Sequence, residues 1–128
     1  MTPGEPKCCF CTIPNERVIL ANEYACVVED GFPVTKHHSL VIPKRHVEDY
    51  FELKDKELLA CDSLLNLQKD KMIKMDSSIK GFNIGINCGE VAGQTIFHCH
   101  IHLIPRREGD VANPKGGVRH VIPEKGYY

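Results

Sequence analysis

The chain is 128 residues long, 42% hydrophobic and 26% charged, with 16 Lys and Arg against 17 Asp and Glu, which suits one globular domain with its own core. A formal net charge of −1 removes the electrostatic footprint of a duplex nucleic-acid binder or a membrane-surface protein, so a small ligand is the expected partner, with no nucleic acid and no membrane. Seven cysteines, many within apolar segments, a start without a charged-then-apolar leader, and no apolar run of spanning length predict reduced thiols and a cytoplasmic location.

Residues 18–20, 25–28 and 39–42 read as strands, separated by breakers at Asn22, Gly31 and Pro33, so a hairpin-rich sheet begins here. From 55 to about 77 no Gly or Pro intervenes, and Leu58, Cys61, Leu65, Met72 and Met75 recur at three- and four-residue steps, which predicts one long amphipathic helix with a core-packing stripe. After Gly81, residues 82–87 and 97–104 alternate with period two and read as two further strands. Beyond Pro105 the chain is rich in Gly, Pro and charge, with an apolar patch at 118–122. The expected organisation is one domain over 1–128, its core at 8–107 and a loop or arm at 108–128.

On an extended strand alternate side chains share a face, so His98, His100 and His102 project one way while Phe97, Cys99, Ile101 and Leu103 project toward the core. Same-face neighbours stand roughly 6.7 Å apart, whereas a metal needs its ligands within roughly 2 Å. A straight strand therefore does not place all three on one ion, and the row fits an extended polyanion better. Imidazole suits that ligand, being a nucleophile when neutral and a phosphate-binding cation when protonated.

The run Gly93-Gln94-Thr95-Ile96-Phe97-His98-Cys99-His100-Ile101-His102-Leu103-Ile104, with His38-Ser39-Leu40-Val41-Ile42-Pro43-Lys44-Arg45-His46 upstream, resembles the signatures of the histidine triad superfamily. One departure is His37, where that family commonly has Gly or Thr. Thr95 and Pro105-Arg106 resemble the fragile-histidine-triad, diadenosine polyphosphate hydrolase branch. The resemblance implies an α+β fold: a five-stranded antiparallel sheet with one long helix and a short helix, forming a homodimer. It also implies hydrolysis at a nucleotide α-phosphate through a nucleotidyl-histidine intermediate, on dinucleoside polyphosphates, nucleoside phosphoramidates or adenylylated compounds. His100 would be the nucleophile, its ring held by the carbonyl of His98, with His102 and His38 on the phosphate oxygens. Asp30 would take the ribose hydroxyls, Asn87 would bind phosphate or orient the site, and Gly93, Gln94 and Thr95 would offer amides and a hydroxyl to the phosphate. For Asp30 and Asn87 the residues alone favour turn or cap chemistry.

Cys8 and Cys11 have the spacing of a zinc knuckle, a redox pair or a plain cluster of reduced thiols. Resemblance to bacterial histidine triad proteins implies a structural zinc held by Cys8, Cys11, His46 and His98. Arg106, Arg107 and Arg119 lie within sequence reach of the triad and are candidate ligands for the outer phosphates of a long leaving group. Three rival functions stand beside hydrolysis: transfer to phosphate, nucleotide-binding regulation with incidental turnover, and a zinc-held interaction module. Binding alone needs no nucleophile, which disfavours the last two.

Overall fold

The computed structural model describes residues 8–128. Five strands, β1 (Val18–Ala21), β2 (Ala25–Glu29), β3 (Ser39–Pro43), β4 (Ile79–Gly85) and β5 (Ile101–Arg107), form one antiparallel sheet in the order β1-β2-β3-β5-β4. The single long helix α1 (Asp55–Met75) packs on β2 and β3. The expected α+β architecture is therefore present, although the expected short helix takes the form of one-turn 3-10 segments such as Tyr50–Glu52 and Glu90–Ala92.

β3 lies mid-sheet and is buried along its whole length. On the helix side Ala25, Val27, Val41 and Ile101 meet Cys61 and Leu64 of α1. On the other side Cys26, Val28, Leu40 and Ile42 are covered in part by Phe10 and Ile13. Positions of even number on β3 therefore face away from the helix, and His38 precedes that series by one step.

The buried stripe of α1 is Glu57, Cys61, Leu64, Gln68 and Met72, while Met75 is 55% exposed. It is rotated from the apolar stripe read in the sequence because two polar residues in it carry their own partners. Glu57 accepts from Arg45 at 2.9 and 2.8 Å and from the Lys54 amide at 2.8 Å, and Gln68 donates to Ser39 Oγ at 3.0 Å. A buried polar group costs little once bonded; Gln68 Oε1 alone has no hydrogen-bond partner among the buried side-chain atoms of the described residues.

Two strand boundaries differ from the sequence reading. β4 begins earlier, at Ile79, and β5 runs Ile101–Arg107, leaving 97–100 outside the ladder. Phe97, expected in the core, is 42% exposed, and His98, expected on the open face, is fully buried. Within that segment the Cys99 amide donates to the Val47 carbonyl at 2.7 Å, so its backbone is held by a loop in place of a strand partner.

The C-terminal segment folds as a clasp. His120 packs edge-on to Tyr127, Arg119 donates to the carbonyls of Gly126 and Lys125, and both Arg119 and Lys115 lie over the Tyr128 ring. A side chain at Gly126 would collide with the His120 ring, and one at Gly116 with the Gly126 carbonyl, so both glycines are close-approach positions. The clasp's 3-10 turn, Gly117–Val121, packs against β4.

Candidate active site and metal centre

The hairpin between β2 and β3 brings Asp30 opposite His38, whose carbonyl accepts the Asp30 amide at 2.9 Å. β5 then lies against β3 with His102 paired to Leu40. Three side chains meet as a result: His38 Nε2 is 2.9 Å from His102 Nδ1 and 3.3 Å from Asp30 Oδ2, and His102 Nδ1 is 3.8 Å from Asp30 Oδ2. His100 lies beside them, its ring centroid 5.3 Å from that of His102.

Each of these rings has its proton placed by a neighbour. The Val34 amide donates to His38 Nδ1 at 3.1 Å, so a neutral His38 carries its hydrogen on Nε2 and donates toward His102 Nδ1. His102 then carries its own hydrogen on Nε2. His100 Nδ1 donates to the His98 carbonyl at 2.8 Å, which leaves Nε2 of His100 with a bare lone pair. Burial lowers the His38 pKa, against the opposing pull of Asp30. Burial first, then the neighbouring His100 and His38, likewise lower that of His102. The hydrogen bonds thus leave His100 a lone pair on Nε2 and His102 an N–H on Nε2.

His37, next to this row, has φ of 75°, the left-handed region that glycine tolerates best. A glycine in this position would adopt the same conformation without strain. Its ring lies 3.8 Å from Glu29 and 4.0 Å from Asp76.

A second cluster lies at the far end of β3. Cys8 Sγ is 3.5 Å and Cys11 Sγ 3.4 Å from His98 Nδ1, His46 Nδ1 is 3.2 Å from His98 Nδ1, and Cys11 Sγ is 3.1 Å from His46 Nδ1. All four ligand atoms lie within 4.8 Å of one another. Tetrahedral zinc with two sulfurs at ~2.3 Å and two nitrogens at ~2.0 Å has edges of about 3.3–3.8 Å, close to these distances. The donor chemistry fits as well. His98 Nε2 donates to the Pro43 carbonyl at 2.8 Å, which turns the lone pair of Nδ1 toward the sulfurs, the outer-shell arrangement that metal-bound histidines adopt. Burial lowers the His98 pKa and keeps it in the ligating form.

Asp30, His38 and His102 also bring three ligand atoms within 4.8 Å, but there the fit fails. The Val34 amide occupies His38 Nδ1 as a donor, so His38 Nε2 holds a proton where a metal would need a lone pair. This cluster is a hydrogen-bonded chain.

The remaining expected residues divide. Asp30 reaches both histidines, yet its Oδ1 also accepts the Phe32 amide at 2.8 Å as a turn former. Gln94 is buried and fully engaged, its side chain accepting from Gly89 at 2.8 Å and donating to Glu48 at 2.6 Å and Ile96 at 3.1 Å. The amides of Gly93 and Gln94 donate to the Glu90 and Gly89 carbonyls at 2.9 and 3.1 Å. The expected cradle of amides therefore narrows to Thr95, and Gly93 and Gln94 shape the loop. Asn87 is exposed beyond the end of β4.

The arginines expected on outer phosphates are occupied. Arg106 binds Asp110 at 2.7 and 2.8 Å and Asn83 at 2.7 Å, Arg107 binds Asp76 at 3.0 Å, and Arg119 is held in the clasp. Sequence reasoning missed Phe10, whose ring centroid is 5.0 Å from His100 and 6.0 Å from His98. Its place between Cys8 and Cys11 was the available signal.

Comparison with known proteins follows this geometry. The family model described as HIT domain matches residues 13–109. An uncharacterized HIT-like protein of Methanocaldococcus jannaschii is 38% identical over 107 residues, 80% of this chain and 81% of that protein. An adenylylsulfatase of Arabidopsis thaliana is 35% identical over 108 residues, 80% of this chain and 54% of that protein. Among solved structures, a zinc-bound histidine triad family protein from Mycobacterium smegmatis superposes with a TM-score of 0.74 at 32% identity, covering 84% of this chain and 80% of that one. Plasmodium falciparum diadenosine triphosphate hydrolase, in complex with Cyclomarin A, gives a TM-score of 0.72 at 28% identity, covering 79% of this chain and 68% of that one.

Proposed function

The chain belongs to the HIT domain family, and from that premise we propose that it hydrolyses the α-phosphate bond of dinucleoside polyphosphates, nucleoside phosphoramidates or adenylylated compounds through a nucleotidyl-His100 intermediate. The observation that carries this reading is the bond from His100 Nδ1 to the His98 carbonyl, which leaves the lone pair on Nε2. That nitrogen attacks the α-phosphorus and a P–N bond forms while the bond to the leaving group breaks, the leaving group keeping the electron pair. Water then attacks the same phosphorus, restores His100 and releases the nucleoside monophosphate. The Nε2–H of His102 faces the growing charge, with His38 behind it fixing its tautomer. Asp30 is assigned to the ribose hydroxyls, Thr95 to phosphate and Asn87 to orienting the site. An adenylylsulfatase relative and a diadenosine triphosphate hydrolase neighbour support this substrate class.

The test is a panel of diadenosine triphosphate, diadenosine tetraphosphate, adenosine phosphoramidate and adenosine phosphosulfate, with products identified. Release of AMP is expected. A nucleoside diphosphate formed only when orthophosphate is added would indicate transfer to phosphate in place of hydrolysis, and binding without turnover would favour the regulatory alternative.

A zinc ion would be held by Cys8, Cys11, His46 and His98, supplying a structural cross-link between the N-terminal segment and the sheet. The zinc-bound neighbour supports that reading. The proposed organisation remains a single domain with its core at 8–107 and the 108–128 clasp attached. A homodimer is supported by the position of β4 at the edge of the sheet, with Ile84 54% exposed, and by the exposed Leu59, Leu67 and Ile73 of α1. Light scattering on the eluted protein distinguishes a dimer from a monomer. A cytoplasmic location is proposed from the seven cysteines, which form no disulfide among the described residues. Among the described residues no helix is long and apolar enough to cross a membrane.

A further inference from the structure

His98 belongs to both clusters. Its ring supplies Nδ1 to the Cys8–Cys11–His46 group at 3.2 to 3.5 Å, while its carbonyl accepts the bond that sets the tautomer of His100. Phe10, carried on the loop between the two cysteines, touches the rings of His98 and His100. We propose that His98 and Phe10 are positioning residues that couple occupancy of the Cys2His2 centre to the reactivity of His100, so that this centre governs turnover as well as stability. The proposal rests on the reading of His100 as nucleophile and of the cluster as a metal centre.

The coupling runs through the His98 ring. A metal on Nδ1 obliges the hydrogen to sit on Nε2, where the Pro43 carbonyl accepts it at 2.8 Å. With no metal, the Cys8 and Cys11 thiols and the His46 ring lose their common centre, and the His98 ring keeps only its bond to Pro43 as an anchor. His98 is fully buried against the Phe10 ring, so movement of the loop that carries Cys8, Phe10 and Cys11 shifts the ring with it. The shift moves the His98 peptide plane and with it the acceptor for His100. Cys99 N–H still holds the Val47 carbonyl, so the displacement is local and the loss partial. His38, just before β3, and His102, on β5, stand away from the cysteines, so ground-state binding of the phosphate is unaffected. The expected signature is a kcat effect with little KM effect.

Two preparations of the full chain carry the test: zinc-loaded protein against protein stripped by chelator, and Phe10→Leu, which keeps all four ligands. Turnover is measured on diadenosine triphosphate, folding by circular dichroism, and the His100 tautomer by long-range ¹H–¹⁵N correlation of labelled histidine. Loaded protein is expected to show His100 protonated at Nδ1 alone. Stripping yields a mixture of tautomers, kcat down about tenfold and KM within about twofold, with the fold retained. Phe10→Leu shifts the His100 resonances and lowers kcat about threefold at full zinc content. Stripped, folded protein with unchanged kcat and unchanged tautomer would overturn the coupling. If stripping unfolds the chain, zinc-loaded Phe10→Leu with unchanged His100 resonances and kcat overturns it instead. Failure of the hydrolase reading itself is distinguishable, because His100→Ala would then turn over normally while the tautomer measurement still reports on the coupling.

Discussion

His38 Nε2 and His102 Nδ1 approach to 2.9 Å across the β3–β5 ladder, and the Val34 amide on the far side of His38 sets which of them donates. This one contact joins the two motifs that are 64 residues apart in sequence and aims the remaining N–H of His102 outward. Removing that donor leaves the nucleophile in place. His102→Ala is therefore expected to lower kcat about 10²-fold, less than loss of His100, with nucleotide binding retained. Steady-state kinetics beside equilibrium binding of AMP check this, and a kcat within twofold of wild type would remove His102 from the transition state.

Protein purified without added metal should carry about one zinc per chain, and Cys11→Ser should lose it. The ligand spacing and the His98-to-Pro43 bond make the prediction. Elemental analysis reads it directly: less than about a tenth of an equivalent, or zinc unaffected by the substitution, contradicts it.

Stability should fall on acidification through His38 and His102. Burial holds both below the ordinary imidazole value in the folded chain, while unfolding returns them to about 6.5. The unfolded chain then binds more protons, so their contribution is complete above pH ~6.5 and is lost as pH falls through the folded values. Thermal melts between about pH 7.5 and 5 should show that decline, and His38→Gln should flatten it relative to wild type. An equal slope in both would remove His38 as its source.

Arg106, Arg107 and Arg119 are engaged with Asp110, Asp76 and the clasp carbonyls. Arg119→Ala should leave KM for diadenosine tetraphosphate within about twofold while increasing hydrogen exchange across residues 113–128. A selective rise in KM for the tetraphosphate, with exchange unchanged, would return this residue to the leaving group.

Much of this was legible in the chain itself. The apolar runs of β2 and β3 follow the two-residue period and the expected sheet is present, and His100 and His102 lie side by side, ring centroids 5.3 Å apart. His98 departed because its segment lies outside the ladder, held by the Val47 and Pro43 carbonyls, and backbone carbonyls leave no mark in a sequence. The same blindness applies to Gln94, whose three side-chain bonds go to main-chain atoms. Glu57 and Gln68 lie outside the apolar stripe read for α1, and their burial was not legible because their partners, Arg45 and Ser39, are distant in sequence. The zinc-type cluster was readable through its spacing together with a resemblance, whereas Phe10 needed three dimensions.

The central claim is a covalent one, and rapidly quenched protein kept from acid during turnover of diadenosine triphosphate tests it most directly. Mass spectrometry of its peptides should reveal a nucleoside monophosphate adduct on residues 97–106, assigned to His100, and the adduct should vanish in His100→Ala along with turnover. An adduct mapped to another residue, or His100→Ala retaining more than about a tenth of wild-type kcat, would contradict the account.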